Sequence, residues 1–184
     1  MAKKRIEYAD DDVSSVKKLL ILRTPSLFVG LILGLIMSFV ISGFESVIRE
    51  NIALAFFLPL VVYLADAIGT QTQTIYIRDL KTGKADFKKY LIKESFLGFA
   101  WGIVFSLISS IVIYFWFNSI VLAFAVGLSM FCAILVAPLI ALVVTRIVSF
   151  YREDPAIASG PIATVIRDVL SVVLYGIISS AIIL

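Results

Sequence analysis

Asp168 stands near the end of the chain, inside a terminal segment that is otherwise apolar. Counted from Pro161, it lies about eight residues in, roughly 12 Å along a helix. That is close to the middle of a hydrocarbon core about 30 Å thick. Steps of three and four residues put Pro161, Thr164, Asp168, Ser171, Tyr175 and Ser179 on one helix face. An ionisable group at that depth is expensive, and its default reading is functional. A carboxylate on a polar stripe through a membrane reads as part of an ion pathway.

A second carboxylate, Asp66, lies about fourteen residues past Ile52, roughly 21 Å from the outer end of its segment and within about 10 Å of the inner surface. Asp66, Thr70 and Gln73 share one face, and Ala67, Gln71 and Thr74 another. The bland reading is a frayed helix end whose aspartate reaches interfacial water. Against it, Asp66 and Asp168 fall at similar depths, and two carboxylates at one level favour a shared cation site or vestibule. Arg167 points about 100° away from Asp168. It has three outlets: pairing with Asp66, pairing with Glu94, or snorkelling toward the surface. Glu45 and Arg49 have the spacing of a simple i,i+4 pair.

The elements that must position these groups follow from composition. Hydrophobic residues make up 61% of the 184, charge is clustered, and several long windows are almost free of it. Only a polytopic membrane protein fits. There is no His and a single Cys, Cys132, so thiolate clusters and imidazole sites are excluded. Any metal must meet oxygen, which suits magnesium, calcium or manganese. The net charge of +3 matters through its placement and does not point to nucleic acid.

Hydropathy and length predict an all-α fold of five transmembrane helices in the lipid bilayer: 25–44, 52–68 (with helix able to continue to Arg78), 95–117, 120–148 and 161–184. Residues 118–119 form a tight turn, making spans three and four an antiparallel hairpin. The first span follows a charged stretch without a small-residue cleavage site and reads as retained. Residues 1–24 form a cytoplasmic tail and 25–184 the transport domain. Lys3, Lys4, Arg5, Lys17, Lys18 and Arg23 lie in the tail, and Arg78, Lys81, Lys84, Lys88, Lys89 and Lys93 in the loop after span two. Arg146 and Arg152 fall on that same side, against Arg49 alone on the other. This predicts a cytoplasmic N-terminus and an outside C-terminus.

In the tail, Asp10, Asp11 and Asp12 precede Val13, Val16, Leu19 and Leu20. They predict a short surface helix capped by an aspartate, in preference to a cation sensor. Residues 84–94 read as an interfacial helix with a basic face. Gly30, Gly34, Ser38 and Ser42 in span one and Gly98, Gly102, Ser106 and Ser110 in span three recur every four residues. Ala133, Ala137 and Ala141 do so in span four, beside Pro138. Such stripes predict close helix packing, within the bundle or between protomers.

Asp154-Pro155-Ala156, Ser159-Gly160-Pro161, Thr164, Asp168 and Tyr175 together resemble the last-span signature of MgtE-type magnesium transporters. Phe44-Glu45, Pro59, Gly69-Thr70-Gln71 and Arg78 are similar to that family's second-span region. The likeness runs from about Arg23 to the end. It implies a homodimer around a central pore for Mg2+, with Asp168 as the main cation-binding carboxylate. Asp66, Thr164, Gly160 and Gln71 join it as candidate metal contacts, and Pro161, Ser171, Tyr175, Thr70 and Gln73 as pathway-lining residues. A helix break near 160–164 would free carbonyls for the ion. Ala65-Asp66-Ala67 departs from the family's usual Gly-Gly-Asn run and exchanges an amide for a carboxylate. The family's large cytoplasmic sensing domains have no counterpart beyond the short tail, so gating is expected to be absent, different in kind, or supplied by a separate regulatory partner.

The leading expectation is a transporter of magnesium or a similar hard divalent cation. A proton- or sodium-coupled exchanger, with Asp66 taking protons, is the alternative within transport. A non-transporting scaffold or regulatory subunit is the alternative from another class. No nucleophile–base pair or phosphate loop supports an enzyme.

Overall fold

A computed structural model describes residues 13–150 and 155–184, with side chains for all of these except 150 and 155–158. The expectations for Asp10, Asp11, Asp12, Arg152 and Asp154, and for the first residues of the chain, lie outside the described residues. The described chain is helical: α1 Val16–Ser42, α2 Glu45–Glu50, α3 Ala53–Lys81, α4 Phe87–Phe117, α5 Ile120–Phe150 and α6 Pro155–Ile183. All but α2 are long and apolar enough to cross a membrane.

The span boundaries differ from expectation wherever a cap or a proline acts locally. Helix α1 begins at Val16, so the short surface helix and span one are a single helix. Its cap is Ser15, whose hydroxyl accepts from the Lys18 N–H, and not an aspartate. The interfacial helix likewise runs straight into span three. Asp86 caps α4 by accepting from the Lys88 and Lys89 N–H groups at 3.1 and 3.3 Å. These bonds hold its carboxyl below the ordinary value, the Lys89 N–H foremost. Gly83, at φ 71°, supplies the left-handed turn that returns the chain from α3 to α4. Asn118, at φ 48°, closes α4 in the same conformation, and the short turn at 118–119 is as read.

No break appears near 160–164. Pro161 lies inside α6, as Pro25, Pro59 and Pro138 lie inside α1, α3 and α5. A proline removes one helical hydrogen bond, and membrane helices tolerate it where neighbours meet the freed groups. The expected supply of loop-like carbonyls is therefore absent.

Helix α5 is the centre, packed on α3, α4 and α6, while α1 reaches the bundle mainly through α6. Over its most apolar window α5 is 56% buried and α1 only 6%. The core joins Leu54, Phe57, Val61 and Ala65 of α3 to Leu122, Val126, Met130 and Ile134 of α5, with Tyr175 of α6. The α4–α5 seam is built on small residues, as read. A Cβ at Gly98 would sit 3.1 Å from the Leu135 carbonyl, and one at Gly102 would sit 3.0 Å from the Phe131 ring. The stripe on α1 packs only at its start. Gly30 lies near Pro161 and Val165, but among the described residues nothing stands within 4 Å of a Cβ at Gly34. Glu45 and Arg49 form the expected pair at 2.6 Å, largely exposed.

Candidate ion-binding site at the α3–α6 seam

Two helices bring the polar groups together because each carries them one turn apart on the side that faces the other. Asp66, Thr70 and Gln73 descend one face of α3; Thr164 and Arg167 sit on the adjoining face of α6. Arg167 is the largest fully buried side chain among the described residues. Its Nη2 donates to Asp66 Oδ1 at 2.6 Å and its Nε to the same oxygen at 3.2 Å. Nη2 also meets the Thr70 and Thr164 hydroxyl oxygens, both at 3.0 Å. Nη1 donates to Gln73 Oε1 at 3.2 Å, and the Gln73 amide passes a hydrogen bond on to Ser159 Oγ at 2.9 Å. Of the outlets read for Arg167, pairing with Asp66 is the one taken. Glu94 is buried elsewhere, accepting from the Thr72 hydroxyl at 2.7 Å.

The guanidinium fits because of Gly69. A Cβ there would stand 2.5 Å from Arg167 Cδ and 2.7 Å from Nε, so only glycine leaves room. A buried charge needs a counter-ion and satisfied donors, and this seam provides both.

Asp168 is left out of the network. Its Oδ1 is buried and, among the described residues, has no hydrogen-bond partner. Asp168 follows directly on Arg167 in α6. On the same face of α6, Pro161 and Val165 lie against Gly30 of α1, two turns and one turn earlier respectively. Among the described residues, nothing stands within 4 Å of a Cβ added at Gly160.

Other residues read as site members go elsewhere. Gln71 is exposed, one residue round the helix from the Asp66 face. Tyr175 is buried in the apolar core, its hydroxyl donating to the Leu54 carbonyl at 2.7 Å. Ser171 is buried, and Ser179 Oγ, further along α6, is buried with no hydrogen-bond partner among the described residues. The roles of Ser159 and Gly69 in the seam were not read. Their signal was a glycine opening a polar run in one helix and a serine two residues before a proline in the other.

Among the described residues, no three Cys, Asp or Glu side chains gather into a metal cage. What stands is one unpartnered carboxylate oxygen beside a satisfied ion pair. Such a site offers charge and orientation to a cation that keeps most of its water, which is how magnesium is usually held.

Five membrane-capable helices make this a multi-pass membrane protein, and a carboxylate lies inside the last of them. Residues 58–178 match the MgtE family model, described as a divalent cation transporter. The chain is 34% identical over 163 residues to the magnesium transporter MgtE of Bacillus subtilis, covering 86% of this chain and 36% of that protein. It is 35% identical over 161 residues to its counterpart in Enterococcus faecalis, with the same coverage, and 28% identical over 156 residues to that of Thermus thermophilus, covering 83% and 34%. The chain therefore belongs to the MgtE family, which comprises transporters and not enzymes. It spans about a third of the length of these relatives.

Proposed function

We propose that this chain forms the membrane part of a magnesium transporter, with the ion passing along the Asp168 face of α6. The buried, unpartnered Oδ1 of Asp168 carries the reading. An oxygen of a carboxylate inside a membrane helix needs a proton, a donor or a cation, and among the described residues no side chain supplies a donor. The relatives named as magnesium transporters support the choice of ion. Two copies of the chain would set two Asp168 side chains against one dication, with Gly160 and Thr164 flanking the approach. The N-terminus lies on the cytoplasmic side in this reading, beside the basic turn between α3 and α4. Inside-negative voltage then favours entry by ~2.3 kcal/mol per charge per 100 mV.

Asp66 acts here as the counter-ion of Arg167. The coupled-exchanger alternative asks it to take protons, yet its Oδ1 already meets two Arg167 nitrogens. The scaffold alternative accounts for that pair but leaves the Asp168 oxygen without a purpose.

The test is divalent uptake into proteoliposomes by the wild type and Asp168→Asn, with magnesium against calcium and manganese. The substitution keeps size and removes one charge per chain. Uptake is expected to fall by about tenfold or more, the effect of roughly 1.4 kcal/mol, with the oligomer intact. Normal uptake by the variant overturns the role of Asp168. No uptake by the wild type favours the scaffold.

A further inference from the structure

The four oxygens around Arg167 are a carboxylate, two hydroxyls and an amide carbonyl: Asp66 Oδ1, Thr70 Oγ1, Thr164 Oγ1 and Gln73 Oε1. Those are the ligand types that hard cations take. Arginine has only donors, so all four present lone pairs to one positive charge. That charge is fully buried at 0% side-chain exposure, and Asp66 keeps 32%. The space it fills exists because residue 69 has no side chain. A formal cation, converging oxygens and a cleared volume describe an occupied cation site whose occupant is tethered to the protein.

We infer that Arg167 is a built-in cation occupying a four-oxygen site beside Asp168, and that it determines ion specificity by keeping Asp66 out of the ligands the travelling ion meets. With Arg167 in place, Asp66 and Arg167 cancel, and each chain shows the ion the single charge of Asp168. Without it, two carboxylates would face the ion at one level. A site of higher charge binds a divalent cation more tightly and strips its water more readily, which favours calcium and manganese, ions that dehydrate more easily than magnesium. It would also release the ion more slowly.

The experiment compares wild type, Arg167→Ala and Asp66→Asn/Arg167→Ala in two assays. One is the shift in melting temperature in detergent caused by magnesium, calcium or sodium chloride. The other is the apparent KM and maximal rate of uptake in proteoliposomes. Arg167→Ala is expected to bind divalent cations on the order of tenfold more tightly, to gain most for calcium, and to turn over more slowly. The double variant is expected to lose that gain, because it removes Asp66's charge. A merely structural Arg167 would lower the melting temperature without a gain in metal response, and that result overturns the inference. So does a double variant that behaves like Arg167→Ala.

Should Arg167→Ala fail to fold, the charge-neutral double variant decides alone. A metal response close to wild type supports the tethered-cation site, and a loss as deep as that of Asp168→Asn overturns it by making Asp66 a ligand. The specificity claim rests on the transport reading above, but the melting assay does not require flux. Absent wild-type uptake thus counts against transport, and an unchanged metal response in Arg167→Ala counts against this inference.

Discussion

Along α4 and α5, Gly98 meets the Leu135 carbonyl and Pro138, Gly102 meets Phe131, and Gly127 meets Ser110. Along α3 and α6, Asp66, Thr70 and Gln73 meet Arg167, which Gly69 admits. Both seams lie in a solvent that gives helices no hydrophobic reason to associate, and both rely on glycine for close approach. In the first, glycine lets backbone meet backbone and the gain is many small dispersion contacts. In the second, glycine makes room for a charge, and the gain is a few strong bonds that stand or fall together. A packing seam tolerates graded change. A charge seam does not, because loss of Asp66 leaves Arg167 buried and unpaired.

The sharpest way to break this contrast is Asp66→Ala, which removes the counter-ion and leaves a fully buried guanidinium. Breaking a buried pair on one side costs about 3–5 kcal/mol. Unfolding in detergent should show a loss of that size, while Asp66→Asn/Arg167→Gln should recover most of it. A cycle of Asp66→Asn, Arg167→Gln and the two together in which the single losses simply add would mean that the pair is not coupled.

Gly69→Ala asks for less. The new methyl would stand 2.5 Å from Arg167 Cδ, and the side chain cannot swing freely while its far end is bound to four residues. Overpacking of this kind costs about 1–3 kcal/mol. Because it disturbs the guanidinium, it should also move the apparent KM for magnesium. Unchanged kinetics with lowered stability would reduce Gly69 to a packing residue.

How far the sequence foretold these seams depends on what spacing can report. Long apolar windows gave five spans, because membrane thickness alone requires them. Their ends depended on single local contacts: the Ser15 and Asp86 caps, and a proline inside α6 that costs one hydrogen bond and no break. The six residues of α2 are too few for a period to show. Spacing placed Asp66, Thr70 and Gln73 on one face, since that is set within a helix. It could not say which neighbouring helix that face would meet. The choice between Asp66 and Glu94 as partner of Arg167 therefore stayed open until Thr72 was seen to hold Glu94. Tyr175 shows the same limit. It shares a face with Asp168, yet two turns further along that face looks at the Leu54 carbonyl and the apolar core.

Gly98→Ala probes the packing seam and should have the smallest effect. The added methyl would meet two backbone carbonyls, of Leu135 at 3.1 Å and Ile134 at 3.3 Å, and the Pro138 ring at 3.1 Å. Backbone yields less easily than a side chain, so the two helices must separate by a few tenths of an ångström, at a cost of about 1–2 kcal/mol. Alanine is the better helix former by about 1 kcal/mol, which offsets much of that. A net loss of about 1 kcal/mol or less is expected in detergent unfolding, with the apparent KM for magnesium unchanged. The kinetic result matters more than the size of the loss. Neither carbonyl is among the hydrogen-bond partners of Arg167, so a shift in KM would show that the hairpin and the charged seam move as one body, and the division between them would fail.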